Sequence, residues 1–95
     1  MKKEIIYSSH LIFRMKIREI GEDLPKRIYE KSDERYFDTK TGYSVAIDEA
    51  FYKDKLREMA VAYEEAVNEV RIITIHPIKP YEKINKIKSG RWKKE

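Results

Sequence analysis

A row of cations set inside an apolar helical pattern is the feature that most limits what this chain can fold into. Between Ser8 and Gly21, His10, Arg14 and Arg18 recur at i, i+4 and i+8. At about 100° per residue they form one stripe that drifts by about 40° at each step. Leu11 and Met15 lie on one side of it, and Phe13, Ile17 and Ile20 on the other. Ser8 or Ser9 is placed to cap the first free N–H groups, and Gly21 suits a left-handed end. Charged residues normally sit opposite the apolar sector of a surface helix, not within it. Held in apolar surroundings, a His and two Arg must be paired, hydrogen-bonded or aimed into a polar cleft. Two readings follow. The arginines bridge to carboxylates from mid-chain as a structural network, or the row is an anion-binding or catalytic site.

At 95 residues the chain supports one domain with a modest core. Charged residues are 40% and hydrophobic ones 41%, a globular composition with a heavily charged surface. No apolar run is long enough to span a membrane. The opening Met1-Lys2-Lys3-Glu4-Ile5-Ile6 lacks the apolar stretch of a secretory signal. Cysteine is absent, which removes disulfides, thiolate metal sites and cysteine nucleophiles, so a cytoplasmic location is expected. Glutamine is absent too, and asparagine occurs only as Asn68 and Asn85, a thermophile-like bias alongside abundant Lys and Glu.

The net charge of +4 is unevenly spread. Residues 1–29 hold seven Lys or Arg against four acids. Residues 30–70 hold six against eleven, and residues 79–95 seven against two. The ends are basic and the middle acidic. A fold that joins the ends would present a basic face suited to a phosphate backbone. For residues 88–95 alone, a solvated basic tail is the expectation.

Lys3 to Tyr7 reads as a strand edge ahead of the first helix. Glu22-Asp23-Leu24-Pro25 starts a second helix, with Leu24 and Ile28 inward and an end near Ser32-Asp33. Residues 34–51 read as a hairpin turning at Lys40-Thr41-Gly42, with Tyr43, Val45 and Ile47 on one face and Ser44, Ala46 and Asp48 on the other. Residues 53–70 are ambiguous. Leu56, Met59, Ala60, Tyr63, Val67 and Val70 have helical spacing, yet Met59, Val61 and Tyr63 also alternate with alanines. Val70 to Pro77 is β-branched and nearly continuous, a central strand placing Ile72, Thr74 and His76 on one face. Pro80 and Tyr81 open a short basic helix with Ile84 and Ile87 inward. Ser89-Gly90 ends it, and Arg91-Trp92 follow.

Several site types are excluded. There is no P-loop or G-x-G-x-x-G among three glycines. Two histidines with no cysteine and no carboxylate motif make a poor zinc site, so neither metal nor cofactor is expected. What remains is His10, Arg14, Arg18, Thr74, His76 and Arg91, with Trp92 and several tyrosines as stacking surfaces. These suit phosphodiester chemistry without a metal. One group takes the proton from a ribose 2′-OH and another protonates the leaving oxygen. Arginines stabilise the charge between them, and aromatic rings hold unstacked bases.

Ser9-His10-x-x-x-Arg14-x-x-x-Arg18-x-Ile20, the strand Arg71-Ile72-Ile73-Thr74-Ile75-His76-Pro77 and the end Ser89-Gly90-Arg91-Trp92 resemble a family of small domains related to the RelE-like (barnase–EndoU–colicin–RelE) nucleases. The resemblance covers most of the chain in order. It implies a single RelE-like α+β domain over residues 1–95. Two N-terminal helices would pack on a twisted, mainly antiparallel sheet of about four strands, with a short C-terminal helix. It also implies a strand over Glu58–Glu64, the reading adopted for the ambiguous stretch.

By the same resemblance the chain is a toxin-type endoribonuclease acting on mRNA, at the ribosome, or on tRNA. His10, Arg14 and Arg18 carry over from the motif, with Thr74 beside them. Arg91 and Trp92 stand where such toxins place a C-terminal Arg and aromatic residue, and Lys88 joins Thr74 and Trp92 as a substrate contact. His10 and His76 would move protons, and Arg14, Arg18 and Arg91 would hold phosphate. The expected partners are RNA and an antitoxin whose acidic segment covers the basic cleft, with no membrane. The alternative is a non-catalytic nucleic-acid-binding or assembly protein, of mobile-element or viral kind, in which the row is structural. A protein-binding adaptor using a free sheet edge is a third reading.

Overall fold

The structure, a computed structural model, describes residues 3–95. Met1 and Lys2, part of the opening read above, lie outside them. In chain order the elements are β1 (Glu4–Tyr7), α1 (Ser9–Arg18), α2 (Leu24–Lys31), β2 (Glu34–Asp38), β3 (Ser44–Tyr52), β4 (Lys55–Glu65), β5 (Glu69–Pro77), α3 (Pro80–Lys88) and β6 (Trp92–Lys94). The strands form one sheet in the order β1-β5-β4-β3-β2-β6. Among the described residues only β1 and β5 run parallel; every other neighbouring pair is antiparallel.

The α+β class stands, but the expected architecture is corrected. The strand edge read over Lys3 to Tyr7 is β1, Glu4–Tyr7, which the four-strand architecture left out of the count. The sheet is mixed and has six strands rather than about four. The C-terminal end is not a loose tail. Residues 92–94 pair with β2 as an edge strand. The physical reason is a set of long-range partners that local patterning does not contain. Glu4 to Tyr7 register against Glu69 to Ile72, and Asp38 registers against Trp92.

Local chemistry explains the elements. The Ser8 hydroxyl accepts the Leu11 N–H at 3.1 Å and caps α1. The left-handed end falls on Glu19 (φ 56°) and not on Gly21. Ending the helix there carries Ile20 into the core, where it is buried. α2 starts with Pro25 in its first turn and buries Leu24, Pro25 and Ile28. The β2–β3 turn needs Gly42 at φ +80°, and the Asp38 carboxylate accepts the N–H groups of Lys40 and Thr41 inside it. β3 and β4 meet at Lys53 and Asp54, both with positive φ, the backbone of a tight hairpin.

Residues 55–65 are strand, so tertiary pairing overrides their helical spacing. β4 is hydrogen-bonded on both sides, to β3 and to β5. Met59, Val61 and Tyr63 face α1 and α2, where with Leu11, Met15, Leu24, Ile28, Val70 and Ile72 they form the larger core. Truncating a fully buried member such as Ile28 to Ala would cost about 2–5 kcal/mol. The opposite face carries a smaller cluster of Tyr36, Val45, Ile47, Ala60, Ile78 and Trp92.

α3 crosses that second face in a different rotation from the one expected. Ile84 and Ile87 are 48% and 40% exposed, and Lys83 turns to the sheet instead. Its ammonium bridges Glu34 on β2 (3.0 Å) and Glu58 on β4 (2.9 Å). Among the described residues, no helix is long and apolar enough to cross a membrane.

Candidate functional site

The site begins where β1 stops. β1 pairs with β5 only as far as Ile72. At Ser8 the backbone N–H donates to the Ile72 carbonyl and the hydroxyl donates to the Ile73 carbonyl. α1 therefore sets off beside the half of β5 that no edge strand covers. In that half β5 carries a bulge. Tyr63 pairs with Ile72 while Ala62 pairs with Thr74, so Ile73 is an extra residue. The expectation that Ile72, Thr74 and His76 share a face is corrected by this bulge. Ile72 and Ile75 point into the helix-covered core, whereas Thr74 and His76 follow Ala62 and Ala60 to the other side.

The result is an open groove of about 410 Å³ lined by His10, Arg14 and Arg18 from α1 and by Thr74 and His76 from β5. The α1 row borders the core rather than lying inside it. Leu11 and Met15 are buried on one flank, while Phe13 and Ile17 on the other are 63% and 65% exposed. Among the described residues, no carboxylate pairs with Arg14 or Arg18, and none of the three row side chains makes a hydrogen bond. The carboxylate network weighed for this row is not formed.

His76 stands between two cations from different walls. Its imidazole is pushed below the usual 6.5, first by the surrounding protein and then by Lys86 of α3 and Arg18 of α1; Glu82 offsets part of this. Although over a third of its surface remains open to water, His76 is held toward its neutral form.

A second hollow of about 180 Å³ shares Thr74 and His76 with the groove. Its floor is Val45, Ala60 and Ala62, and its rim includes Thr41, Tyr43, Lys86, Arg91 and Trp92. The far wall is built by a clasp at Asp38. The Arg91 guanidinium donates to both carboxylate oxygens, with Nε to Oδ1 and Nη2 to Oδ2 each at 3.1 Å. The Trp92 indole N–H donates to Oδ2 at 3.3 Å. Burial pushes the Asp38 carboxyl up, but Arg91, the Lys40 and Thr41 N–H groups and Trp92 outweigh it and hold it far below the carboxylate range. Trp92 stacks on Tyr36 at 5.4 Å, and the Lys86 ammonium lies over its ring at 5.5 Å.

The structure thus brings His10, Arg14, Arg18, Thr74 and His76 together. Arg91 and Trp92 sit in the adjoining hollow, and Arg91 is committed to Asp38. Lys88 is exposed at the end of α3 and lines neither space. Lys86 takes the place foreseen for it. The residue was findable, since Lys79, Lys83 and Lys86 follow helical spacing at i, i+4 and i+7. Among the described residues, no cluster of three His, Asp or Glu side chains could hold a metal. No family model, curated protein or solved structure matches this chain.

Proposed function

We propose that this protein is a metal-independent endoribonuclease of toxin type, acting on mRNA or tRNA. One observation carries the reading: two imidazoles and two guanidiniums without carboxylate partners converge on one open groove. Imidazole and guanidinium work by proton transfer and charge stabilisation, and need no metal to do so. The toxin-type assignment rests on the likeness of Ser9 to Ile20 and of the late strand to the RelE-like family. An acidic antitoxin segment would find in this groove the cations it needs.

In this reading Arg14 and Arg18 grip the scissile phosphate. His76, kept neutral, accepts the proton of the ribose 2′-OH. The 2′ oxygen attacks phosphorus, the bond to the 5′ oxygen breaks, and His10 gives that oxygen its proton. The products are a 2′,3′-cyclic phosphate and a free 5′-OH. Burial, with Lys86 and Arg18, favours the neutral base before the reaction, and the phosphorane charge favours the imidazolium that forms during it.

The test is cleavage of single-stranded RNA and tRNA by purified protein in EDTA, beside His10→Ala and His76→Ala. Each variant should lose about 10²–10⁴-fold in rate while keeping the wild-type melting temperature. A wild-type protein that cleaves neither RNA overturns the free-enzyme reading. Variants that unfold would return the row to a structural role.

A further inference from the structure

We infer that the hollow beside the groove is a binding site for a single nucleobase, so that the two spaces together accept one nucleotide. The inference deepens the phosphate reading above and rests on it. The two spaces meet at Thr74 and His76, which line both. A ligand filling them has an anionic end beside Arg14 and Arg18 and a second part across His76. The chemistry of the hollow says what that part is. Its floor is Val45, Ala60 and Ala62, small enough at both alanines to leave a flat recess in the middle of the sheet. Tyr43 brings aromatic surface to its rim, and the buried Trp92, held between Tyr36 and Lys86, closes the wall beside it.

Polar groups at the rim can read a ring edge. The Thr41 oxygen already accepts the Tyr43 N–H, and its own proton has no acceptor among the described residues. The Tyr43 hydroxyl and the Lys86 ammonium likewise have no hydrogen-bond partner among the described residues. At about 180 Å³ the hollow suits one planar heterocycle and not a stacked pair. Asp38 would repel a ring carbonyl, but Arg91 and Trp92 already occupy both of its oxygens. A flat ring, edge donors and acceptors, and a phosphate one sugar away describe a ribonucleotide whose base is splayed out of its stack.

The lone tryptophan of the chain lies at the hollow, so its fluorescence reports occupancy. The probes are the four ribonucleoside 3′-monophosphates, ribose 5-phosphate as a base-free control, and inorganic phosphate. At least one monophosphate should quench Trp92 and bind about tenfold more tightly than ribose 5-phosphate, the scale of one stacked base. Ala62→Phe, which fills the recess from its floor, should abolish that tenfold gain. Tyr43→Ala, which removes the aromatic rim without adding bulk, should reduce it, and circular dichroism checks both folds. If every monophosphate binds no better than ribose 5-phosphate, or both folded variants keep the full gain, the base site is wrong. Inorganic phosphate, followed through the His10 and His76 ring protons by NMR, separates the two levels. Shifts at those rings with no base gain would overturn only the hollow. No shift would overturn the phosphate reading and the base site with it.

Discussion

Arg91 and Arg14 lie near opposite edges of one sheet and are held in opposite ways. Arg91 is spent. Its fork closes on a buried carboxylate that also accepts an indole N–H and two backbone N–H groups, and the assembly fastens the edge strand β6 to β2. Arg14 is available. It is exposed on a helix stripe that it shares with His10 and the half-buried Arg18, and it has no carboxylate partner among the described residues. The difference lies in what the backbone brings opposite each side chain. The Asp38–Trp92 register places an acid beside Arg91, while α1 runs along Ile73 to His76, a stretch without any acid. A saturated arginine stabilises the fold, whereas an unsaturated one beside a groove is free to take a ligand's negative charge.

The largest expected effect tests the clasp. Asp38→Ala leaves Arg91 partly buried without its counter-ion and unpins Trp92, and should cost about 3 kcal/mol in urea unfolding. Against a domain stability of about 5–15 kcal/mol that is a severe loss. Arg14→Ala should stay within about 0.5 kcal/mol of wild type, as substitutions of exposed side chains usually do. Equal losses in the two variants would erase the contrast.

The next effect is on the ligand rather than on the fold. Removing one charge-assisted contact should weaken binding by about 1.5–3 kcal/mol, or at least tenfold. Arg14→Ala should therefore lower phosphate affinity by at least that factor in a titration. Arg91→Lys, which keeps the charge but breaks the fork, should leave phosphate affinity near wild type. A reversed order would mean that the anion sits at the C-terminal wall.

Much of this contrast was legible in the sequence, and its limits have physical causes. The α1 row was visible because a helix converts i, i+4, i+8 directly into one face. The hairpin faces of Tyr43, Val45 and Ile47 against Ser44, Ala46 and Asp48 were visible because strands alternate. The bulge at Ile73 was not, because Ile72, Ile73 and Ile75 read alike in composition and either parity buries an isoleucine. That one residue decides whether His76 meets the core or the groove. The strand β6 was hidden because Trp92 is its only apolar residue and its acid, Asp38, ends a strand far upstream. The rotation of α3 was misjudged because Ile84 and Ile87 outweighed a lysine in any apolar count. Glu34 and Glu58, which draw Lys83 inward, are neighbours only after the sheet has formed.

The smallest effect separates the two regions by pH. His76 is depressed below 6.5 in the fold by its surroundings and by Lys86 and Arg18. Its contribution to stability is complete above 6.5. As pH falls below that value the unfolded chain takes up a proton that the fold resists, and stability declines until the folded imidazole also titrates. Asp38 is depressed as well, but a carboxylate's contribution is present above its usual 3.8 and is lost only as pH falls below it. Melting temperature should therefore fall in two stages, a shallow one starting near pH 6.5 and a steeper one below pH 4. His76→Asn should flatten the first stage and leave the second. Saturating phosphate should flatten the first as well, because a bound anion favours the imidazolium that the free groove disfavours. A wild-type curve already level between pH 7 and 5 would mean that nothing unbalanced flanks His76, and the case for a waiting anion site would lose its electrostatic basis.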